Sequence, residues 1–429
     1  MKRVIVVGSG AGGATVAKEL AGKFAVTLLE AGREFRPFSL PLSTAWTIKR
    51  TGILFDERII QFFFPAMKVR RVGEGMMVVN GRGVGGTTTL STGNALRVDE
   101  DLREMGIDLD EEFDELTREI PITDSHQRLW RKNTRRLFDL SQQMGLNPMP
   151  MPKMGHYEHC ANCGRCVLGC PRGVKWDSRE FVRKAVGKGA LLQTGGTVEK
   201  VLIREGEVTG VKVRWEWGPE FVPADLVVLA AGGLGTPAIL QRSGISTVPR
   251  LFVDPVLCVA VEWEGVHQST EIPMPFVIQR EHYIFSPYFD FLSFFFNRRW
   301  RSRPENILGL MIKIADSNSG FVSGSHISKT LTIEDHARLQ EGVELCNEIL
   351  LRFGAKKENI FLGTLNAGHP GGMLPLTINE SQTLHSPFLP PNLYVADATL
   401  FPRSLGNPPI LTIMALAKRV SFLIQKKLC

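Results

Sequence analysis

The sequence predicts an α/β protein: a nucleotide-binding domain of the Rossmann type, with a second, sheet-based domain inserted into it. Three observations predict this. The chain opens strand, glycine turn, helix, strand over Val4–Glu30. Two further apolar strands, Leu226–Leu229 and Leu393–Val395, lie far along the chain, the first of them running into Ala230-Ala231-Gly232-Gly233. At 429 residues the chain exceeds what one small core needs and fits two domains.

The first strand, Val4–Val7, leads into Gly8-Ser9-Gly10-Ala11-Gly12-Gly13, a helix over Ala14–Leu20, and a strand over Ala25–Leu29 that ends at Glu30. In Gly8-x-Gly10-x-x-Gly13 the first glycine permits the tight turn and the second lets backbone N–H groups approach a diphosphate. The third allows close packing of helix on strand. The helix N-terminus offers partial positive charge, and Glu30 can accept from a ribose diol. Residues 36–70 show no clear periodicity but hold the apolar cluster Phe62-Phe63-Phe64. A second glycine-rich segment spans Gly81–Thr88, and residues 101–150 are polar with helical spacing. From Thr194 to Leu229 the pattern is strand-like, with Val198, Val201, Val208, Val211 and Val213 among polar residues. Residues 250–360 differ in character and include an aromatic stretch. A helix from Leu411 to Lys426 ends the pattern. Strands of one nucleotide site are thus scattered, and the cofactor domain should be discontinuous.

Composition bounds the function. Hydrophobic residues at 43% and charged residues at 22% suit a folded soluble protein. No run of eighteen apolar residues occurs, which predicts no bilayer-spanning helix. Met1-Lys2-Arg3 passes directly into the first strand, so a cleaved leader would destroy that strand; the expected location is cytoplasmic. The net charge of +7 favours anionic surfaces. No nucleic-acid motif accompanies it, and nucleic acid is not an expected partner.

Four of the seven cysteines fall in Cys160-x-x-Cys163-x-x-Cys166-x-x-x-Cys170-Pro171. This is the bacterial-ferredoxin spacing, and it predicts one [4Fe–4S] cluster held by a single loop. A three-iron cluster and a zinc site are the alternatives. A disulfide framework does not suit a cytosolic chain of this size. Cys258, Cys346 and Cys429 are isolated and read as packing or surface residues. Residues 283–303 mix aromatics with Arg298, Arg299, Arg301 and Arg303. Peripheral contact with the inner face of a membrane is one reading, and core or partner packing the other.

Four segments resemble the glucose–methanol–choline (GMC) oxidoreductases in order and spacing. They are the opening fingerprint with Glu30; Gly81-Arg82-Gly83-Val84-Gly85-Gly86-Thr87-Thr88; Ala230–Ile245, with its Gly-Gly, Thr-Pro and Ser-Gly; and Leu393–Pro402 continuing to Gly406-Asn407-Pro408-Pro409. Ser91 stands where the family usually has Asn, with Asn94 three residues on, and the chain is short for the family. The resemblance implies a GMC-like fold with FAD held by Gly8, Gly10, Gly13, Glu30, Gly85, Gly86, Thr87, Thr88, Val198, Asp397, Ala398, Asn407 and Pro408. It assigns 1–35, 71–100, 172–247 and 362–429 to the FAD domain, 36–70, 101–159 and 248–361 to the substrate domain, and 160–171 to the cluster loop. It implies that His369 and Asn407 are the catalytic pair. A histidine poised near neutral pH suits removal of an alcohol proton as hydride leaves for the flavin, and Asn407 can hold the substrate oxygen. Gly173–Lys175 and Asp177, just after the cysteines, resemble the long-chain alcohol oxidase branch, and sugar dehydrogenases of the family also use a cluster.

The expected function is FAD-dependent oxidation of an alcohol, probed best as a bulky or hydrophobic one. Electrons would leave through the cluster to a ferredoxin, a cytochrome or a quinone-linked protein. The rivals are a ferredoxin-fed reductase and a relay subunit without substrate chemistry.

Overall fold

The computed structural model describes residues 1–51, 57–324 and 326–428, with the side chains of 57–59 and 74 left aside. Cys429 lies outside the described residues.

The opening segment forms a strand Arg3–Val7, a helix Ala11–Leu20 and a strand Ala25–Glu30. These strands belong to a five-stranded sheet in the order Leu393–Val395, Leu226–Leu229, Arg3–Val7, Ala25–Glu30, Leu191–Thr194, parallel throughout. All four residues of Leu226–Leu229 are buried, as the near-continuous apolar runs of a sheet covered on both faces require. The helices Ala11–Leu20 and Ile410–Leu428 pack together against it, which brings the two ends of the chain to one layer. The first helix begins at Ala11, three residues earlier than the sequence predicts, so two glycines of poor helix propensity lie inside it. The strand-like stretch after Thr194 forms a three-stranded antiparallel sheet of Thr197–Arg204, Glu207–Trp215 and Gly218–Pro223.

A nine-stranded sheet makes the second layer system. Its central strands Pro255–Glu262 and Ile307–Ile314 run antiparallel, with Val256 opposite Lys313 and Cys258 opposite Met311. Alternation along Pro255–Glu262 divides the core: Cys258 and Ala260 face one apolar cluster, Val259 and Val261 the other. The long helix Ile333–Phe353 covers the second face and brings Cys346 with it, so Cys258 and Cys346 are packing residues. Residues 36–70, without clear periodicity, form helices Leu42–Arg50 and Glu57–Phe63 and a strand Met67–Arg71.

The aromatic stretch packs mostly into the core, the second of its two readings. Tyr283, Phe285, Phe289, Phe291, Phe294, Phe295, Phe296 and Trp300 are all buried. The helix Phe291–Phe296 lies between the sheet and the helix Leu42–Arg50, with Phe38 against Phe295 and the Lys49 ammonium 5.0 Å from the Phe294 ring. Tyr288 and Leu292 stay partly exposed, and Arg298, Arg299, Arg301 and Arg303 are exposed. Aromatics that are exposed lie elsewhere, among them Phe62 (80%), Trp217 (78%) and Phe388 (61%). Among the described residues no helix is long and apolar enough to cross a membrane.

Candidate active site

The four glycine-bearing segments converge, and Ser9 joins two of them. Its hydroxyl donates to Glu30 Oε2 at 2.6 Å and accepts from Gly85 N–H at 3.1 Å. Glu30 also accepts from Ser9 N–H at 3.1 Å, and from Gly32 N–H through Oε1 at 2.8 Å. Burial pushes its carboxyl up, against these hydrogen bonds. Glu30 therefore ties the first turn to the end of its own strand, and its remaining lone pairs are what a ribose diol could use. Gly86 lies against Gly10. No side chain caps the helix Ala11–Leu20 at Gly10, so its first-turn N–H groups stay available to an anion.

Asp397 binds the third segment to the fourth. Its Oδ2 accepts from Gly232 N–H at 2.8 Å and Thr236 Oγ1 at 2.5 Å, and its Oδ1 accepts from Thr399 N–H at 2.9 Å. This carboxylate organises the loops around the site, with Ala398 buried beside it. Thr88 does similar work, donating to Gly85 O at 2.6 Å and accepting from Ser178 N–H at 3.0 Å; Thr87 accepts from Gly81 N–H at 3.0 Å. Val198 is buried in the three-stranded sheet, opposite Val213. Pro408 is buried two residues before the helix Ile410–Leu428.

Gly12, outside the fingerprint proper, makes the closest approach. A Cβ there would fall 1.7 Å from the Ala396 carbonyl oxygen. Gly12→Ala must push the first helix off the fourth segment, and we expect it to cost about 1–3 kcal/mol, the usual range for overpacking. Thermal denaturation should show the loss, and an unchanged Tm would mean that the two segments are not in contact.

His369 and Asn407 lie on different loops that meet at Asp254. His369 follows the short strand Asn366–Ala367, which pairs with Pro255 and Val256, and so its Nδ1 comes 3.4 Å from Asp254 Oδ2. Gly233 of the third segment packs on the carbonyl of Pro370, the next residue. The Asn407 loop reaches the same carboxylate through Ser404, whose hydroxyl donates to Asp254 Oδ1. Asn407 itself accepts from Gln279 Nε2 at 3.1 Å and donates to Leu405 O at 3.4 Å. Burial lowers the His369 pKa and Lys313 lowers it further, with Asp254 opposing. Burial and Lys313 thus favour the neutral imidazole, the state a base requires.

Cys160, Cys163, Cys166 and Cys170 line one cavity together with Tyr157, Lys175 and Ile272. Asn162, at φ 50°, turns the loop and donates its N–H to Cys160 Sγ at 3.4 Å. Among the described residues no three His, Cys, Asp or Glu side chains are arranged to hold one metal ion, so the geometry by itself does not carry the iron–sulfur expectation. What sequence reading missed is the ring of buried polar groups beside the thiols. Lys153 donates to Asn94 Oδ1 at 2.6 Å and Pro273 O at 2.9 Å, and Lys175 to Thr88 O at 2.8 Å and Thr89 O at 3.0 Å. The Tyr157 hydroxyl is buried with no hydrogen-bond partner.

Comparison with known proteins decides the lineage. The GMC oxidoreductase family model matches residues 3–257, more than half of the chain. The chain belongs to the GMC oxidoreductase family. FAD is the cofactor that this membership supports, and the uncapped helix N-terminus between the glycine loops fits its diphosphate. This GMC oxidoreductase is 24% identical to an uncharacterised protein of Methanocaldococcus jannaschii over 96% of this chain and 97% of that one. It is 30% identical to an uncharacterised GMC-type oxidoreductase of Mycobacterium tuberculosis, over 62% of this chain and 45% of the relative. Among solved structures it is similar to pyridoxine 4-oxidase from Mesorbium loti, with TM-score 0.74, 17% identity and 99% of both chains covered. A formate oxidase from Aspergillus oryzae gives TM-score 0.72 and 15% identity over 100% of this chain and 99% of that one. At these identities the structures establish the shared fold.

Proposed function

We propose that this GMC oxidoreductase is an FAD-dependent dehydrogenase, which oxidises an alcohol to a carbonyl and passes the electrons through an iron–sulfur cluster to a one-electron carrier. The observation that carries the reading is His369: an imidazole, partly open, backed by a buried carboxylate where the glycine segments converge. FAD, when bound, supplies the acceptor for the hydride. His369 takes the hydroxyl proton, and Asn407, on the loop joined to Asp254 through Ser404, holds the substrate oxygen. A relay subunit would need no such base.

Support for the cluster comes from charge. Lys153 and Lys175 are buried and hydrogen-bonded to neutral oxygens, and among the described residues neither forms an ion pair with a carboxylate. Burial pushes both lysines down, Lys153 to about 7, while Asp177 acts on Lys175 in the opposite direction; an ammonium buried without a partner costs several kcal/mol. Four thiolates around an iron–sulfur core carry net negative charge and would compensate both, while Tyr157 supplies a donor. A pair of disulfides would bring no negative charge to either lysine. Lys175 also reaches the carbonyls of Thr88 and Thr89, on the loop that the family resemblance places at the flavin. Exposed Arg299, Arg301 and Arg303 offer a surface to an acidic electron carrier, whose docking would weaken with salt.

The purified protein is expected to release FAD on denaturation, identified by chromatography; recovery of a nicotinamide nucleotide alone would overturn the assignment. A panel of alcohols offered anaerobically with artificial electron acceptors should then reveal turnover, the bulky and hydrophobic ones first. Turnover seen only with carbonyl compounds and a reduced donor would reverse the proposed direction.

A further inference from the structure

Resting on the reading of His369 as the base, we propose that Asp254 and Lys313 are a buried positioning pair that selects which imidazole nitrogen meets the substrate and keeps the ring neutral. Asp254 Oδ2 is 3.4 Å from His369 Nδ1 and 2.7 Å from Lys313 Nζ. The imidazole is 29% exposed, yet its Nδ1 is buried, so the exposure falls on the rest of the ring; Nδ1 makes no hydrogen bond, and its 3.4 Å approach to Asp254 Oδ2 is a longer contact with the carboxylate. An ionised carboxylate only accepts. Proximity to the carboxylate therefore favours the proton on Nδ1, and Nε2 then keeps the lone pair that a base needs.

The fold holds this arrangement from several sides. Asp254 takes a left-handed backbone (φ 55°) just before the strand Pro255–Glu262. Lys313 projects from the neighbouring strand, where it pairs with Val256. Ser404 holds the other carboxylate oxygen. Behind the pair, Asp316 accepts from Asp254 N–H at 2.8 Å, donates its own N–H to Ser404 Oγ at 3.2 Å, and pairs with Lys329 at 2.7 Å. The charged groups at this face are thus two carboxylates, Asp254 and Asp316, and two ammonium groups, Lys313 and Lys329, all buried.

The pair acts on His369 with opposite signs. Asp254 alone would favour the imidazolium, which cannot accept a proton. Lys313 cancels that pull, while Asp254 keeps its grip on the ring orientation.

The test is ¹⁵N NMR of the FAD-containing protein labelled at histidine, with the His369 signals assigned by their absence in His369→Asn. The wild type should show the Nδ1–H tautomer at pH 7. Lys313→Met should raise the His369 titration midpoint by about one pH unit or more, and Asp254→Asn should lower it and mix the tautomers. A structural role alone would not move the midpoint in opposite directions. An Nε2–H tautomer in the wild type overturns the proposal without any variant. So do folded, FAD-retaining variants whose midpoint and tautomer match the wild type. These readings need no turnover, and so they are separable from the role of His369: full activity in His369→Asn would remove the base while leaving the pairing intact.

Discussion

His369→Asn should lower kcat by roughly 10²–10⁴, the range for loss of a positioned acid–base group. The expectation follows from the imidazole's place: it follows the strand Asn366–Ala367, beside the Gly233 turn and against Asp254. FAD content should persist, because the glycine turns are tied through hydrogen bonds of Ser9, Glu30 and Asp397 that do not involve His369. The pH profile supplies a second reading. A base works unprotonated, so kcat/KM rises with pH through its pKa. With the His369 pKa lowered by burial and by Lys313, that limb should lie below the ordinary histidine value of about 6.5. Turnover of a verified substrate at the wild-type rate by His369→Asn would remove it from the mechanism.

Cys163→Ser should abolish metal binding. Anaerobically prepared wild type is expected to contain iron and acid-labile sulfide in near-equal amounts, and the variant neither. The four thiols share one cavity, and a cluster deprived of one ligand in a single loop has no replacement thiol there; Cys258 and Cys346 are buried in the second sheet's core. FAD should stay bound in the variant. Stoichiometric zinc without sulfide in the wild type would refute the cluster and assign the cavity to zinc.

The nucleotide half of this protein was legible because its signals are local. Val4–Val7, Leu226–Leu229 and Leu393–Val395 announce themselves by apolar runs, and all three pair in one parallel sheet. Ser9 and Gly12 carry as much of the site as the fingerprint glycines, but their roles depend on Glu30, Gly85 and Ala396 arriving from elsewhere. The aromatic stretch at 283–303 shows the limit of composition: it records how much apolar surface a segment has and not which neighbours cover it.

By itself the sequence determined the α/β class, the GMC family, the glycine turns, the candidate pair His369 and Asn407, and the clustering of four cysteines. Each depends on residue type and short spacing, which bond geometry and helix or strand period turn directly into local structure. Only the tertiary structure decided that Asp254 stands between His369 and Lys313, that Lys175 lines the cysteine cavity, and that the phenylalanines between 285 and 296 are buried. Such pairings depend on strand register and on packing between distant segments. A buried charge is tolerable only beside its partner, and that partner is found in space, not in sequence.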